Sequence, residues 1–439
     1  MGKTNFFWFR RDLRLDDNAG LYHALNGKLP VQCVFIFDKQ ILEELEDEAD
    51  ARITFIYDSL KQLDDQLKEQ GGRLHVYYGE PLKIWKELIA SSSCQSVYTN
   101  RDYEPYALDR DKKVEALLKK NSISFQTYKD HVIFESHEVL KADGDPYTVF
   151  TPYKRRWLER VDSKVKSGQS IYYKSYPSQT NLMNVKQTKK NHWQTLEDIG
   201  FKRSTIEMPS VKVPQKTIKL YDKQRNFPGI DGTSKLGVHF RFGTISIREK
   251  ARKAAKLNQT YLSELIWRDF YSQILHHFPR VVTEAFRAKY DRLEFRNNKK
   301  EYKAWCNGLT GYPIVDAGMR ELNATGYMHN RVRMVVASFL TKHLLIDWRW
   351  GETYFAKKLL DFDLASNNGG WQWASGSGTD AAPYFRIFNP TSQMTKFDKE
   401  LVYINRWVPE YGTEAYLEPI VEHKFARERC LKMYKRCLT

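Results

Sequence analysis

The first 130 residues alternate short apolar runs with stretches of helical period, and that alternation leaves few folds open. The runs are Phe6 to Phe9, Val31 to Phe37, Leu74 to Tyr78 and Val97 to Thr99. Between the second and third, Ile53, Ile56, Leu60, Leu63 and Leu67 recur at spacings of three and four, which places them on one helical face, and Gly71-Gly72 closes the pattern. Strands separated by helices join through crossovers into a parallel sheet covered on both faces, so an α/β domain with a doubly wound parallel sheet is expected for residues 1–130. From about 140 to 225 the chain is polar, Lys-rich and punctuated by Gly and Pro, and reads as a long connector with short helices. Beyond 230 the strand signals fade. Tyr261 to Phe278, Gly318 to Leu345 and Thr353 to Leu360 read as helices, so an all-helical C-terminal domain is expected.

Charge divides at the same place. Residues 1–130 hold 19 Lys and Arg against 22 Asp and Glu, and the rest holds 51 against 32, so the net charge of +16 is carried entirely by the connector and helical part. Nine of the eleven tryptophans lie there too. A basic surface with embedded aromatics suits phosphate neutralisation and base stacking, although core packing is the ordinary use of most such rings. The five cysteines (Cys33, Cys94, Cys306, Cys430, Cys437) are scattered, with no Cys-x-x-Cys, which suits a reduced, cytoplasmic setting. No apolar run approaches the ~20 residues of a membrane span. No His-Glu-x-x-His and no Cys/His cluster point to a metal, and Gly-x-Gly-x-x-Gly, Walker and Gly-x-Ser-x-Gly patterns are absent from the contexts that would give them meaning.

Three clusters combine residue types that packing alone seldom needs. Glu264, Trp267 and Arg268 fall on one face of a helix, a carboxyl, an aromatic plane and a guanidinium together; the plainer reading is a Glu–Arg pair beside a core indole. Met328-His329-Asn330-Arg331-Val332-Arg333-Met334 sets amide and guanidinium donors into an apolar helix, with two surface arginines as the plainer reading. Asp361-Phe362-Asp363-Leu364-Ala365-Ser366-Asn367-Asn368-Gly369-Gly370-Trp371-Gln372-Trp373 crowds two acids, three amides, two glycines and two tryptophans into one segment. A helix-capping loop beside core tryptophans is its plainer reading.

Asn367 to Trp373, followed by Gly378-Thr379-Asp380-Ala381-Ala382-Pro383-Tyr384-Phe385-Arg386-Ile387-Phe388-Asn389-Pro390, closely resembles the FAD-binding signature of class I cyclobutane pyrimidine dimer photolyases in the photolyase/cryptochrome family. The resemblance runs over nearly the whole chain. It includes Trp8-Phe9-Arg10-Arg11-Asp12-Leu13-Arg14-Leu15, Phe150-Thr151-Pro152-Tyr153-Lys154, Glu264 to Arg268, Thr310-Gly311-Tyr312-Pro313-Ile314-Val315-Asp316-Ala317 and Pro419-Ile420-Val421-Glu422-His423-Lys424. It implies an α/β antenna domain over 1–130, a connector over 131–225, and a helical FAD- and DNA-binding catalytic domain over 226–439. It further implies light-driven repair of UV-damaged DNA, in which reduced FAD passes an electron to a flipped-out pyrimidine dimer.

By motif, Thr233, Ser234, Lys235, Leu236 and Gly237 resemble the FAD phosphate segment, with Lys235 and Gly237 standing where the family usually has Arg and Ser. Tyr221, Tyr261, Arg268 and Phe362 fall at other FAD-binding positions. Arg333 and Asp361 match an ion pair beside the flavin, Asp363 a position near flavin and ribose, and Asn367 the residue facing flavin N5. Trp267 and Trp373 match the aromatics that flank the lesion, Glu264 and Asn330 the groups that hydrogen-bond its carbonyls, and Arg225, Arg331, Met334 and Gln393 further DNA-facing positions. Trp371 and Trp348 match the first two members of a three-tryptophan electron-transfer chain, whose third position is Phe295 here.

Within the family, plant cryptochromes carry Asp and animal ones Cys where this chain has Asn367, which favours repair over the alternative of a blue-light receptor. Enzymes acting on (6-4) photoproducts place a histidine pair where this chain has Asn330 and Met334, which favours the cyclobutane dimer. Tyr103-Glu104-Pro105-Tyr106-Ala107-Leu108 puts Ala107 where folate-binding members have Glu, so a second, antenna chromophore is expected to be a deazaflavin or flavin in preference to methenyltetrahydrofolate. Arg52 is a candidate to assist it, with a surface arginine as the plainer reading. A monomer is expected, nucleoid-associated if bacterial.

Overall fold

The computed structural model describes residues 2–166 and 169–438. Strands β1 (Thr4–Phe9), β2 (Val31–Asp38), β3 (Leu74–Gly79), β4 (Cys94–Asn100) and β5 (Ser124–Tyr128) form a parallel sheet in the order β3-β2-β1-β4-β5. All six residues of β1 are buried, and from Phe6 to Phe9 its sequence is an unbroken apolar run, as suits a central strand covered on both faces. The main helices between the strands are α1 (Ala19–Leu25), α2 (Ala51–Glu69), α3 (Pro81–Ala90) and α4 (Pro105–Lys120). Phe6, Trp8, Val34, Ile36 and Val97 of the sheet pack with Trp85 of α3 and Val114 and Leu118 of α4. Helix α2 ends beside Gly71, which holds a left-handed φ of 78°. The fifth strand was not among the apolar runs: Ser124-Phe125-Gln126-Thr127-Tyr128 is an edge strand with exposed or half-buried residues throughout, and it lacks the hydrophobic signal of an inner strand.

The chain divides into two compact units, one made of residues up to Glu138, Leu158–Val211 and Leu236–Lys253, the other of Val139–Trp157, Lys212–Lys235 and Ala254 onward. In the first, Arg248 is tied to the strand domain by a buried ionic cluster. Its guanidinium bonds Asp17 at 2.9 Å and Asp130 at 2.8 Å, and Arg14 reaches Asp130 at 2.7 Å. Burial alone would raise the Asp130 carboxyl, but Arg14 and Arg248 hold it below the usual carboxylate range. The connector is less irregular than its composition suggests, since Phe150–Ser163 forms the helix α5.

The second unit is mostly helical, and among the described residues no named strand follows Ser170. Helices α6 (Gln259–His277), α7 (Pro313–Thr325), α8 (Asn330–Ser338), α9 (Trp348–Lys358) and α10 (Leu364–Ser375) carry the residues of interest. The continuous helix expected over Gly318 to Leu345 is instead broken. Gly326, at φ 66°, closes α7 in a left-handed C-terminal conformation, and His329 restarts the helix as an N-cap whose Nδ1 accepts from Arg331 N at 3.2 Å. Among the described residues no helix is long and apolar enough to cross a membrane, and no group of His, Cys, Asp and Glu is placed to hold a metal ion.

Candidate functional site

Helix α10 begins because Asp363 caps it, accepting from Ser366 N at 3.0 Å. One face carries Asp363, Asn367, Gly370 and Trp373 at spacings of three and four. The opposite side buries Trp371 and Gln372 at 2% and 1% exposure. A Cβ built on Gly370 meets nothing within 4 Å, so this face opens onto free space, whereas on Gly369 it would come within 2.2 Å of the Tyr271 ring. The two adjacent glycines thus serve different ends: Gly369 lets α6 and α10 approach through Tyr271, and Gly370 leaves room. Asn367 is oriented by Glu352 of α9, its Nδ2 donating to Glu352 Oε1 at 2.8 Å and to the Glu352 carbonyl at 3.1 Å. Both bonds use the amide nitrogen, which leaves the Asn367 oxygen available as an acceptor. Burial pushes the Glu352 carboxyl upward, and Asn367 opposes that in part.

A second group gathers around Tyr327, a residue the sequence did not single out. Thr233 Oγ1 lies 3.2 Å from its hydroxyl, and Lys235 Nζ and the Arg333 guanidinium each lie 5.8 Å from its ring centre. Arg333 pairs with Asp361 at 3.0 Å and donates to the Met328 carbonyl at 2.7 Å. The Tyr261 hydroxyl donates to Ser234 at 3.1 Å, and Tyr221 meets the Tyr261 ring edge-on at 5.1 Å. Lys235 has a left-handed φ of 50° and pairs with the exposed Asp231 at 3.0 Å. Leu236 is buried and precedes the short helix Gly237–Arg241, which belongs to the first unit. Phe362, beside Asp361, is half-buried against the helical core. His329 is 4% exposed, and burial followed by the nearby charges of Arg333, Arg331 and Lys235 pushes it down to about 4. With Nδ1 accepting from Arg331, the Nε2 proton of neutral His329 is a buried donor without a partner among the described residues.

On α6, Glu264, Trp267 and Arg268 are all half-buried. Trp267 stacks on Phe150 of α5 with ring centres 3.6 Å apart and planes 7° from parallel. Phe150 backs the indole; the sequence carried it only as part of a motif. Arg225, the C-cap of Tyr221–Gln224, is ion-paired to Glu264. Arg331 donates to Asn226 at 2.7 Å and sits 4.4 Å over the Phe397 ring. Asn330 is exposed at the first position of α8, and Met334 follows one turn later on the same face. Gln393, on the helix Pro390–Phe397, keeps a buried Oε1 without a partner among the described residues.

Trp371 makes ring contacts with Trp305 at 6.0 Å and Phe355 at 5.0 Å. Trp305, fully buried, stacks on Tyr302 at 6.0 Å, and Tyr302 meets the half-buried Trp350 at 5.1 Å. Trp348 is buried, with Arg349 over its ring at 4.8 Å. Phe295 packs in a different cluster, with Tyr290, Leu293 and Leu345.

Residues 261–413 match the FAD binding domain of DNA photolyase, and residues 5–170 match the DNA photolyase model. The chain belongs to the DNA photolyase family. It is 36% identical to a deoxyribodipyrimidine photo-lyase of Synechococcus, over 99% of this chain and 97% of that relative. A bacterial class III photolyase from Agrobacterium tumefaciens aligns with a TM-score of 0.85 at 32% identity, covering 100% of this chain and 98% of the other. An archaeal photolyase from Sulfolobus tokodaii, solved with two FAD molecules, aligns at 0.83 and 33% identity over 99% and 100%. This chain is therefore an enzyme carrying the family's FAD-binding domain, and the residues present suit that cofactor. Hydroxyls of Thr233 and Ser234, the Lys235 ammonium and the unpartnered His329 N–H form a donor set fit for a diphosphate, and the space beside Gly370 leaves room for a flat ring.

Proposed function

We propose that this photolyase splits cyclobutane pyrimidine dimers in DNA under blue light, by electron transfer to a dimer flipped out of the duplex. The observation that carries this reading is the open face of α10, where the neutral, positioned amide Asn367 and the half-buried Trp373 stand three residues to either side of Gly370, which leaves free space. Reduced FAD, when bound, supplies the light-absorbing donor whose electron opens the cyclobutane ring and is then returned. Asn367 offers an acceptor oxygen to a ring N–H and, being neutral, tolerates the reduced cofactor. Thr233, Ser234, Lys235, Tyr221, Tyr261 and Arg268 bind the cofactor, with Arg333, Asp361, Phe362 and Asp363 around it. Trp267, stiffened from behind by Phe150, and Trp373 provide the planes on which flipped pyrimidines stack, each stack contributing ~1–3 kcal/mol. Glu264 and Asn330 hydrogen-bond the pyrimidine carbonyls, where negative charge appears. Arg225, Arg331 and Gln393 contact the strand.

Photoreduction of the oxidised cofactor is a separate process, and the ring contacts support a route from Trp371 through Trp305 and Tyr302 to Trp350 in place of one ending at Phe295. In the first unit, Ala107 is buried at 4% exposure and offers no carboxylate, which supports a deazaflavin or flavin antenna over a folate.

Substrate choice is tested by offering reduced, FAD-loaded protein two oligonucleotides under blue light, one with a single cyclobutane dimer and one with a (6-4) photoproduct. Repair of the first alone is expected. Repair of the second would require a proton relay that Asn330 and Met334 cannot supply, and would overturn the assignment.

A further inference from the structure

The lesion-facing carboxylate of Glu264 is already engaged. Arg225 bonds it, and the two side chains are 30% and 31% exposed, so the pair sits within reach of a macromolecular ligand. The same guanidinium lies 5.7 Å from the centre of the Tyr221 ring. A second guanidinium is close by: burial and then the charge of Arg225 push Arg331 downward, so Arg225 and Arg331 together present crowded positive charge beside the pair. The segment leading to Arg225 carries Lys216, Lys219 and Lys223, all exposed, while its one acid, Asp222, is occupied by Asn258 at 2.8 Å. A polyanion approaching this strip competes with Glu264 for Arg225, and it offers several phosphates where the protein offers one carboxylate.

We propose that Arg225 is a positioning residue that exchanges partners, holding Glu264 in the free protein and passing to a DNA phosphate in the complex, which releases the Glu264 side chain toward the extruded base. This rests on the repair reading for the last step alone; the exchange itself concerns any duplex. The exchange explains how a carboxylate is kept beside a DNA-binding surface without repelling the strand before it docks. It also ties lesion contact to backbone engagement, so Glu264 is freed only where a duplex is already in place.

The salt dependence of binding to an undamaged duplex, measured in the dark, separates exchange from a pair that persists. If Arg225 passes to a phosphate, Arg225→Gln lowers the slope of log K against log salt by about 0.9, and Arg225→Lys restores most of it. Glu264→Gln then keeps the wild-type slope but binds about two- to fivefold more tightly at fixed salt, because no exposed pair has to be broken. A wild-type slope in Arg225→Gln, or a steeper one in Glu264→Gln, would show Arg225 remaining on Glu264 in the complex and overturn the proposal. Arg225→Gln should also weaken binding to dimer-bearing and undamaged duplex by the same factor; a loss confined to dimer-bearing duplex would show Arg225 acting at the lesion and not on the backbone, and overturn the proposal. Absence of light-driven repair in wild type and in every variant would refute the repair reading and leave the dark slopes interpretable.

Discussion

If Glu264 acts as proposed, after charge has moved onto the lesion, its loss should be felt more in turnover than in binding. We expect Glu264→Ala to lower the quantum yield of repair several-fold while changing dimer affinity by less, read by comparing single-turnover yields with dark binding isotherms; equal losses would remove it from the reacting centre. Trp267→Ala should cost about 1–3 kcal/mol in affinity for dimer-bearing duplex, with little effect on undamaged DNA, because in the proposed reading its plane meets only an extruded base. Glu264, Trp267 and Arg268 were legible as a set because helical spacing brings them to one face, and Asp361 to Trp373 because so many unusual residue types share one segment. Tyr327, Glu352 and Phe150 were not. Each lies in an ordinary local context and acquires its place only when a distant element folds against it, Phe150 on Trp267 and Glu352 on Asn367.

Strands and helices with a strong apolar period were legible, whereas β5 was hidden by its exposed edge position and the break after α7 by a left-handed glycine that composition alone does not announce. The joining of Leu236–Lys253 to the strand unit depends on charge, and that dependence can be measured. Arg248→Met would leave Asp17 and Asp130 with one buried guanidinium fewer, at a cost of about 3–5 kcal/mol read as a lowered Tm. His329 gives α8 a pH dependence. Its folded value of about 4 lies below the ordinary histidine value near 6.5, so between these the unfolded chain binds more protons and stability falls as pH falls. Glu321 and Glu352, pushed up by burial, act in the opposite sense, so the informative quantity is the difference between wild type and His329→Asn, which keeps a cap. The variant should lose less Tm than wild type between pH 7 and 5; identical slopes would contradict the buried neutral imidazole. Along the aromatic series, transient absorption should show a long-lived radical in wild type that survives Phe295→Trp and is lost in Trp305→Phe.

The whole chain separates an acidic strand domain from a basic helical part, and it is the second that carries the proposed lesion face. Affinity for any duplex should therefore fall steeply with salt, while preference for the dimer persists because stacking and hydrogen bonds at the extruded bases are less screened than phosphate contacts. Whether the α10 face turns absorbed light into dimer cleavage, as proposed, is read from the recovery of thymine in a defined substrate. Reduced, FAD-loaded protein is mixed with an oligonucleotide carrying one thymine dimer, and intact thymines are counted by chromatography after blue light and after an equal time in the dark. Stoichiometric recovery is expected in the light, continuing over several turnovers, and none in the dark. Protein that binds the dimer, absorbs the light and leaves the cyclobutane ring whole would contradict the repair reading and point to a light receptor instead.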